Sequence, residues 1–331
     1  MNPGLVVKLR PTGPWRSGPD SGARDEVDPL YHSDTLFSAV AWAMEALGQL
    51  DAWLDATARN PRGPAVSFSS MFPFLDDVGF VIPPRSVWPP DPVSGKVRWK
   101  GARFIPLSLV AALFSGAPPE EEGWKIDGPS QCLLPAGRGG VFRTVVRSSA
   151  AVDRLSGAVE PHSVAAIEFF PGAGLWAVVS FVDEEARATW DGPLRAALRL
   201  LADGGFGGRR SHGWGRAQEP EFTEGELPGM ILSFAGAENL NSWWMLSLFT
   251  PGAEDQIDWN SGNYAVMARG GRVERAGGRK KDLPMVVEGS VLASPFAPRG
   301  AAPDVAPDGF VHPVYRAGFA LAIPVPAQTA L

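Results

Sequence analysis

A segment of twelve residues combines six glycines with two arginines, one histidine and two aromatic residues. It runs from Gly204 to Gly215 and reads GGFGGRRSHGWG. Because glycine loses more backbone freedom than any other residue on ordering, such a cluster is expected where φ is positive or where a second backbone comes very close. Peptide N–H groups and guanidinium groups both bind phosphate oxygens. The segment is therefore a candidate clamp for the backbone of single-stranded RNA.

A nucleotide-cofactor loop is the competing interpretation of a glycine cluster. Dinucleotide-binding loops and Walker loops follow a strand and open a helix. Here the segment follows a predicted helix and lacks a Gly-Lys-Ser/Thr ending. We therefore predict that the protein binds no nucleotide cofactor, and we expect no small-molecule substrate.

The candidate RNA contacts in this segment are Gly205, Phe206, Gly207, Gly208, Arg209, Arg210, Ser211, His212, Gly213 and Trp214. The two arginines are expected to neutralise phosphates. The two aromatic residues have alternative roles. Either they stack on unpaired bases, or they pack inward as anchors while the backbone and the arginines contact the RNA.

Two predicted helices position this segment. Residues 32–48, HSDTLFSAVAWAMEALG, can be capped by Ser33 or Asp34, show one apolar face and end at Gly48. Residues 191–205, DGPLRAALRLLADGG, place a proline in the predicted first turn and leucines on one face. The glycine-rich segment begins where the second of these helices ends.

The length of 331 residues favours two domains. The composition restarts with β-rich pieces after a linker rich in glutamate and proline, so we place the domains at residues 1–222 and 223–331. The fold class expected is α+β.

The only cysteine, Cys132, excludes an internal disulfide, and no run of 18 apolar residues indicates a membrane span. We expect a cytoplasmic protein that does not bind membranes.

The charge distribution limits the kind of nucleic-acid contact. A net charge of −6 and a pI near 5.4 argue against binding over the whole surface. Residues 138–154, 199–216 and 269–281 each carry a local excess of basic residues. These three segments fit a defined binding groove, and the alternative is that they are ordinary solvated loops.

The spacing of the glycine-rich segment matches a known signature at every specified position. Gly205-Phe206-Gly207 is followed by five residues that include arginine and then by Gly213-Trp214-Gly215. This pattern resembles that of the RAMP superfamily of CRISPR systems. Further stretches resemble the subunit of type III-A (Csm) effector complexes that grips the 5′ end of the crRNA, namely YHSDTLFSAVAWAM, FSSMFPFL, VDRLSG, FFPGAGLW, VVEGSV and HPVYRAGFALAIP. The resemblance extends over nearly the full length.

The resemblance implies a fold and a set of partners. It implies two ferredoxin-like (RRM-like) domains in tandem, with long loop and hairpin insertions and with the glycine-rich segment ending the first domain. It also implies a non-catalytic subunit that caps the crRNA 5′ tag and docks the large polymerase-like subunit and the backbone subunit. No catalytic centre is expected in this chain.

Two further groups of candidate RNA contacts lie outside the glycine-rich segment. A predicted hairpin around RSSAAVDRLSGAVEPHS resembles the thumb of related subunits and contributes Arg147, Asp153, Arg154 and Ser156. The alternative is that Asp153 and Arg154 only form the turn of the hairpin and do not contact RNA. His32, Ser33 and Asp34 begin a helix, where exposed amides attract anions. Their alternative role is to brace that helix against the sheet.

A processing ribonuclease is the rival function. Some members of the superfamily cut precursor crRNA with a histidine as acid or base, which draws attention to His32 and His212. No partner that would orient either histidine is evident in the sequence. The four histidines are scattered along the chain, so we expect no metal site.

Overall fold

The computed structural model describes residues 2–18, 23–90, 98–117, 120–232, 234, 240–273 and 278–327. The α-helices of this described part are α1 (Ser33–Ala46), α2 (Leu50–Ala56), α3 (Leu107–Phe114) and α4 (Glu184–Gly204). The predicted first helix is confirmed. Its N-cap is His32, so Ser33 and Asp34 lie in the first turn and cap nothing with their side chains.

The second predicted helix is longer than its sequence pattern indicated. It begins at Glu184 because the Asp183 side chain accepts a hydrogen bond from the Ala186 amide at 2.8 Å, and because acidic residues favour the first turn. Pro193 therefore lies inside the helix and not in its first turn.

The strands of residues 2–181 are β1 (Asn2–Leu9), β2 (Val66–Phe68), β3 (Phe72–Leu75), β4 (Val78–Val81), β5 (Ile105–Pro106), β6 (Trp124–Asp127), β7 (Cys132–Pro135), β8 (Phe142–Val152), β9 (Val159–Phe169) and β10 (Ala173–Phe181). The later strands are β11 (Glu221–Leu227), β12 (Ser242–Met245), β13 (Asp258–Asn263), β14 (Val266–Arg269), β15 (Leu283–Val286), β16 (Val291–Ala293), β17 (Gly300–Ala301), β18 (Gly318–Phe319) and β19 (Ala322–Val325). The fold is thus a mixture of helices and antiparallel sheets.

The main sheet has the strand order β11-β1-β10-β3-β4-β5, with β2 also pairing with β10. Its central strands alternate, so that Leu5, Val7 and Leu9 of β1 point to one face. The apolar sides of α1 and α4 pack on that face, with Val40 and Leu198 fully covered. The glycine-rich segment leaves α4 at the edge of this helical layer.

The opposite face of the main sheet is also covered. Trp176 and Val178 of β10 belong to a second apolar core that includes Trp244 and Ile323 of the C-terminal sheet. Residues of α3 and of β7 complete this core. The sheet is therefore buried on both sides, and the two halves of the chain share one core.

The C-terminal region is built from strands. Its larger sheet has the order β13-β16-β12-β19, and β14 pairs with β15. Within the described part of residues 223–331, no segment forms an α-helix. The stretch NSWWMLSLFTP, whose apolar residues suit either a partner surface or the core, contributes β12 and several buried side chains, among them Trp244, Leu246 and Phe249. Core packing accounts for these residues.

A long hairpin projects from the first half of the chain, as the sequence predicts. Its arms are β8 and β9, paired without interruption from Phe142 opposite Phe169 to Val152 opposite Val159. The second arm is therefore residues 159–169. The apolar run GLWAVVSFV, whose pattern also suits an arm of a hairpin, instead forms most of β10 in the main sheet, where it is buried on both faces.

Candidate nucleic-acid interface

The glycine-rich segment folds back on the loop that follows β1. The Phe206 amide donates to the Gly215 carbonyl at 3.0 Å, and the Gly215 amide donates to the Pro14 carbonyl at 2.8 Å. The Gly208 amide donates to the Arg16 carbonyl at 2.9 Å. These bonds hold the segment in one conformation against residues 11–16.

At two positions of this segment there is no room for a side chain. Gly207 has φ +70°, and a Cβ atom on it would lie 2.3 Å from the Arg16 carbonyl oxygen. Gly215 has φ +79°, and its Cβ would lie 2.0 Å from the Phe206 carbonyl oxygen. The second backbone that comes close at these two positions is the protein's own. This differs from the expectation that the glycines make room for RNA, because here they make a tight packing of two loops possible.

The aromatic residues of the segment point inward. Phe206 is completely buried and stacks on Trp15 with a centroid distance of 5.1 Å. Trp214 is 8% exposed and packs on Val164 and Ala166 of β9. Of the two roles left open by the sequence, the structure shows the anchoring one.

The arginines of the segment lie over tryptophan rings. The Arg209 guanidinium is 6.0 Å from the centroid of Trp214, and one of its nitrogens is 3.2 Å from Nε2 of His162. The Arg210 guanidinium is 4.8 Å from the centroid of Trp42. Contacts of this kind fix the direction of a guanidinium without neutralising its charge. Ser211 and His212 follow in a short exposed 3₁₀ turn that ends at Gly213.

A cavity of about 640 Å³ opens beside Gly207 and Gly208, and we call it the basic cleft. The loop after β1 and the first turns of α1 form one side, and the segment around β14 forms the other. Its charged lining residues are six basic ones and one acidic one, namely Arg16, Arg269, Arg272, Arg279, Lys280, Arg316 and Asp34. The basic segment at 269–281 thus contributes to a defined groove, although residues 274–277 lie outside the described part of the chain.

Arg16, in the loop after β1, lines this cleft. Its guanidinium donates to the carbonyl oxygens of Arg24, Glu26 and Ala165. Partial burial lowers the pKa of Arg16, and the nearby guanidinium of Arg209 lowers it further. Arg16 therefore adds positive charge to the cleft while it ties the loop after β1 to the hairpin.

The candidate residue His32 is buried between two carboxylates. Its Nδ1 lies 2.7 Å from Glu288, and its Nε2 lies 3.0 Å from Asp28. Glu288 also accepts a hydrogen bond from the Ser70 hydroxyl. Burial alone would lower the pKa of His32, but the two carboxylates outweigh it and raise that pKa to about 10. His32 is therefore an imidazolium that joins α1 to the C-terminal region.

The next two candidates are also engaged inside the protein. The Ser33 amide donates to Ser70, and the Ser33 hydroxyl accepts from the Leu248 amide at 3.0 Å. Asp34 binds Arg269 at 2.9 Å and also binds Arg316. Burial would raise the pKa of Asp34, but the two arginines hold it at about 2.

The N-terminus of α1 is thus an ionic joint between the two halves of the chain, formed by Asp28, His32, Asp34, Arg269, Glu288 and Arg316. Its geometry supports the bracing role considered for these residues in the sequence. Asp34 reaches the wall of the basic cleft, whereas His32 and Ser33 do not line it. Direct RNA contacts of His32, Ser33 and Asp34 stay predictions.

The tip of the hairpin is a closed turn with an exposed apolar side chain. Asp153 accepts hydrogen bonds from the Leu155 amide and the Ser156 hydroxyl, which lowers the pKa of its carboxyl group. Leu155 is 99% exposed. Arg154 is exposed and forms no ion pair with a residue that the structure describes. Asp153 and Ser156 thus build the turn, and Leu155 and Arg154 are presented to solvent.

Arg147 lies on the hairpin near the glycine-rich segment. It binds Glu168 at 2.7 Å, and its guanidinium is 5.8 Å from the centroid of Trp214. The indole of Trp214 therefore has arginines from both the hairpin and the glycine-rich segment beside it. This cluster joins the hairpin to the glycine-rich segment, of which Gly207 and Gly208 line the basic cleft.

Histidine, cysteine and acidic side chains form no metal-binding cluster in the part of the chain that the structure describes. None of the described helices is long and apolar enough to cross a bilayer. His212 is exposed, and its Nδ1 lies 3.3 Å from the neighbouring Ser211 hydroxyl.

Several residues of the interface were not singled out in the sequence. Arg16, Glu288 and Arg316 are far apart along the chain, and no local pattern distinguishes them from other surface charges. Glu288 lies within the stretch VVEGSV and Arg316 within HPVYRAGFALAIP, and both stretches carried part of the family resemblance. That resemblance was the one signal that could have marked these two residues.

Comparison with known proteins gives a family match for one region of the chain and a set of structures with a similar fold. Residues 238–325 match the family model of the CRISPR Csm4 C-terminal domain. The fold is similar to a chain in the crystal structure of a Csm3-Csm4 subcomplex of the type III-A CRISPR-Cas interference complex, with a TM-score of 0.65, 16% identity, and coverage of 97% of this chain and 99% of that chain. The fold is also similar to a chain in the crystal structure of a Csm1-Csm4 cassette in complex with pppApA. The TM-score is 0.59, the identity is 19%, and the match covers 99% of this chain and 100% of that chain.

No curated protein sequence matches significantly. The family match confirms the resemblance found in the sequence for residues 238–325. The structural matches show that the fold of the whole chain is similar to that of the two chains named above.

Proposed function

We propose that this chain is a non-catalytic RNA-binding subunit of a type III-A CRISPR effector complex and that it caps the 5′ tag of the crRNA. The observation that carries this proposal is the basic cleft beside Gly207 and Gly208. Gly207 and Gly208 lie at its wall. Six basic side chains and one carboxylate line it, and Arg269 and Arg316 are paired with that carboxylate. Such a cleft suits a ribose-phosphate strand because its cations replace the counterions of several phosphates.

The burial of the main sheet supports the same location. An RRM-type domain binds RNA on the open face of its sheet, where aromatic side chains stack on bases. In this chain that face is covered by the core that contains Trp176 and Trp244. A bound strand must therefore use the loops at the end of the sheet, and the basic cleft lies there.

The hairpin of β8 and β9 extends this interface. Arg147 of the hairpin and Arg209 of the glycine-rich segment both lie near the ring of Trp214. Leu155 at the tip is an exposed apolar wedge, and side chains of this kind insert between bases. We assign the hairpin the role of separating neighbouring nucleotides of the crRNA as the strand leaves the cleft.

The partners follow from the structural relatives. The similar chains belong to complexes that contain Csm1 and Csm3. We infer that this chain likewise docks a large polymerase-like subunit and a backbone RAMP subunit. The family match over residues 238–325 favours the C-terminal region as the part whose fold is shared most recognisably.

The domain organisation is part of the proposal. The order β1-α1-β3-β10-α4-β11, with β1 and β10 at the centre of the sheet, is the pattern of a ferredoxin-like domain with large insertions before β10. We assign this domain to residues 1–227, which moves the boundary expected at residue 222 to the end of β11. The region 228–331 is then a second ferredoxin-like domain whose described residues form strands and no α-helix.

The ribonuclease alternative finds little support in the site. His32 is buried and already protonated, so it is unable to accept a proton from a ribose hydroxyl at neutral pH. His212 has only a neighbouring serine within hydrogen-bond distance. Incubation of the full chain with a repeat RNA tests this point. A cleavage product that disappears in His212→Ala would restore the enzyme hypothesis.

Removal of two cleft arginines tests the RNA-binding proposal. Arg272→Ala with Arg279→Ala should weaken binding of the full chain to a tag RNA, measured by fluorescence anisotropy at several salt concentrations. The slope of log K against log salt should become shallower by about 1.4, which is about 0.7 for each lost phosphate contact on a single strand. The matched control is Arg62→Ala with Arg85→Ala, which removes the same charge outside the cleft. An equal change in both double variants would contradict the proposal.

The arginines of the glycine-rich segment provide a second test of the same proposal. Arg209→Ala with Arg210→Ala should also lower affinity and the salt slope by about two phosphate contacts. Unchanged binding would remove these residues from the interface.

A further inference from the structure

A second cavity of about 580 Å³ lies between the C-terminal half of α1, α2 and residues 310–315. Its walls carry the aromatic side chains of Trp42, Phe310, His312 and Tyr315. We propose that this aromatic cavity binds one unstacked nucleobase of the RNA strand held in the basic cleft. The inference rests on the proposed function and adds to it a site that selects a base.

One face of α1 connects the two cavities. Thr35 and Ser38 line the basic cleft, whereas Trp42 and Glu45 line the aromatic cavity. These four residues are spaced by three or four positions and therefore lie on the same side of the helix. The distance along the helix axis from Thr35 to Trp42 is about 10 Å. A strand leaving the cleft along this face thus meets the aromatic cavity within a few nucleotides.

The aromatic residues are arranged for stacking. Phe310 and His312 meet edge to face at 4.8 Å, which fixes the orientation of both rings on one wall. Trp42 of α1 lines the same cavity, and the Arg210 guanidinium lies 4.8 Å from its ring centroid. Unpaired bases stack on aromatic rings, and a nearby cation can meet the adjacent phosphate. Trp42 therefore offers a ring to the cavity, and Arg210 lies beside that ring.

The polar groups of the cavity indicate which bases fit. Glu45 is exposed, and its carboxylate forms no ion pair with a residue in the described part of the chain. Asp51 is paired with Arg59 at 3.2 Å. A carboxylate accepts hydrogen bonds from exocyclic amino groups, as acidic side chains do from cytosine N4. The site should therefore prefer adenine, cytosine or guanine to uracil, which has no such group.

A double-mutant cycle between protein and RNA tests the site. Oligoribonucleotides with the tag sequence are prepared with an abasic residue at each position in turn, and their affinities for the full chain are measured by anisotropy. One abasic position should lower the affinity of the wild-type chain about tenfold, as expected for loss of one stacked base. In Trp42→Ala the same abasic position should cause no further loss. Phe310→Ala should behave likewise, so the test does not depend on one variant folding well.

Matched variants separate the possible outcomes. Trp259→Ala removes a half-exposed tryptophan on β13, outside both cavities, and should keep the full abasic effect. Glu45→Gln should reduce the preference for amino-bearing bases at that position. Abasic effects that are the same in wild type and Trp42→Ala would overturn the base site while leaving the salt-dependent cleft intact.

Failure of the proposed function gives a different pattern. It would show as weak binding of wild-type chain to every RNA, with no response to the cleft variants. If Trp42→Ala instead keeps RNA affinity and every abasic effect but weakens binding of the large subunit, the cavity holds a protein side chain and the inference is wrong.

Discussion

Two groups of arginines lie in or beside the basic cleft, and they differ in the groups that they contact within the protein. Arg269 and Arg316 are nearly inaccessible and close on the carboxylate of Asp34. Arg209 and Arg210 are half-buried and lie over the faces of Trp214 and Trp42. The guanidinium groups of the first pair contact a carboxylate, and those of the second pair contact the rings of two tryptophans.

This difference separates a structural use of arginine from a binding use. A buried guanidinium must be neutralised because the cost of removing its charge from water is high. Contact with an aromatic ring orients a guanidinium and does not by itself cancel its charge. The ionic joint connects the two halves of the chain, and RNA contact by the partly exposed arginines belongs to the proposed function.

Removal of the shared carboxylate should have the largest effect on stability. Asp34→Ala leaves the two buried guanidinium groups without a counter-charge, so the free energy of unfolding should fall by about 3–5 kcal/mol. Urea denaturation monitored by tryptophan fluorescence measures this. As a control, Glu221→Ala breaks the exposed pair with Arg10 and should cost less than about 1 kcal/mol. Equal losses of unfolding free energy in the two variants would contradict a larger role in stability for the buried ion pairs than for the exposed one.

The pH dependence of stability should report on His32. Its pKa is about 10 in the folded chain, above its ordinary value near 6.5. Its contribution is therefore fully present below about pH 6.5 and is lost as the pH rises through about 10. Between pH 7 and pH 9 the free energy of unfolding should fall by up to about 1.4 kcal/mol per pH unit.

The variant His32→Gln isolates this effect. It should be less stable than the wild-type chain at pH 7, because Glu288 and Asp28 lose their cation. Its stability should nevertheless vary less between pH 7 and pH 9. Parallel pH profiles for the two proteins would show that another group causes the dependence.

The glycines of the loop should also differ among themselves. Gly207→Ala combines a positive φ with a backbone clash and should destabilise the protein by about 1–3 kcal/mol. Gly204 is three residues away at the end of α4, has no positive φ and has open space where a Cβ would be placed. Gly204→Ala should therefore leave the melting temperature unchanged or raise it slightly. Similar losses for both substitutions would contradict the close packing of the loop on Arg16.

The local parts of this structure could be predicted from the sequence. The periodic leucines of α4 and the apolar face of α1 indicated both helices, and the spacing of the glycine-rich segment indicated a family. The start of α4 was missed because Asp183 caps it before the apolar pattern becomes regular. Short-range rules therefore gave the elements but not all of their ends.

The ionic joint could not be predicted because it depends on distant residues. His32 and Glu288 are 256 positions apart, and Asp34 and Arg316 are 282 apart. No periodicity or motif links such pairs. The basic segment at 269–281 was evident in the sequence, yet whether it forms a groove depends on the loop after β1, which faces it in space.

The smallest effect on stability is expected at the hairpin tip. Leu155 there takes no part in the buried ion pairs or in the contacts between arginines and tryptophan rings. Leu155 is 99% exposed, so Leu155→Ala should change the free energy of unfolding by less than about 0.5 kcal/mol. If the side chain wedges between nucleotides, the same change should restore base stacking in the bound RNA. A 2-aminopurine base placed along the strand would then fluoresce less with the variant than with wild type at one position. Unaltered fluorescence at every position, with RNA still bound in the basic cleft, would limit recognition to the cleft and leave the hairpin without a role in separating bases.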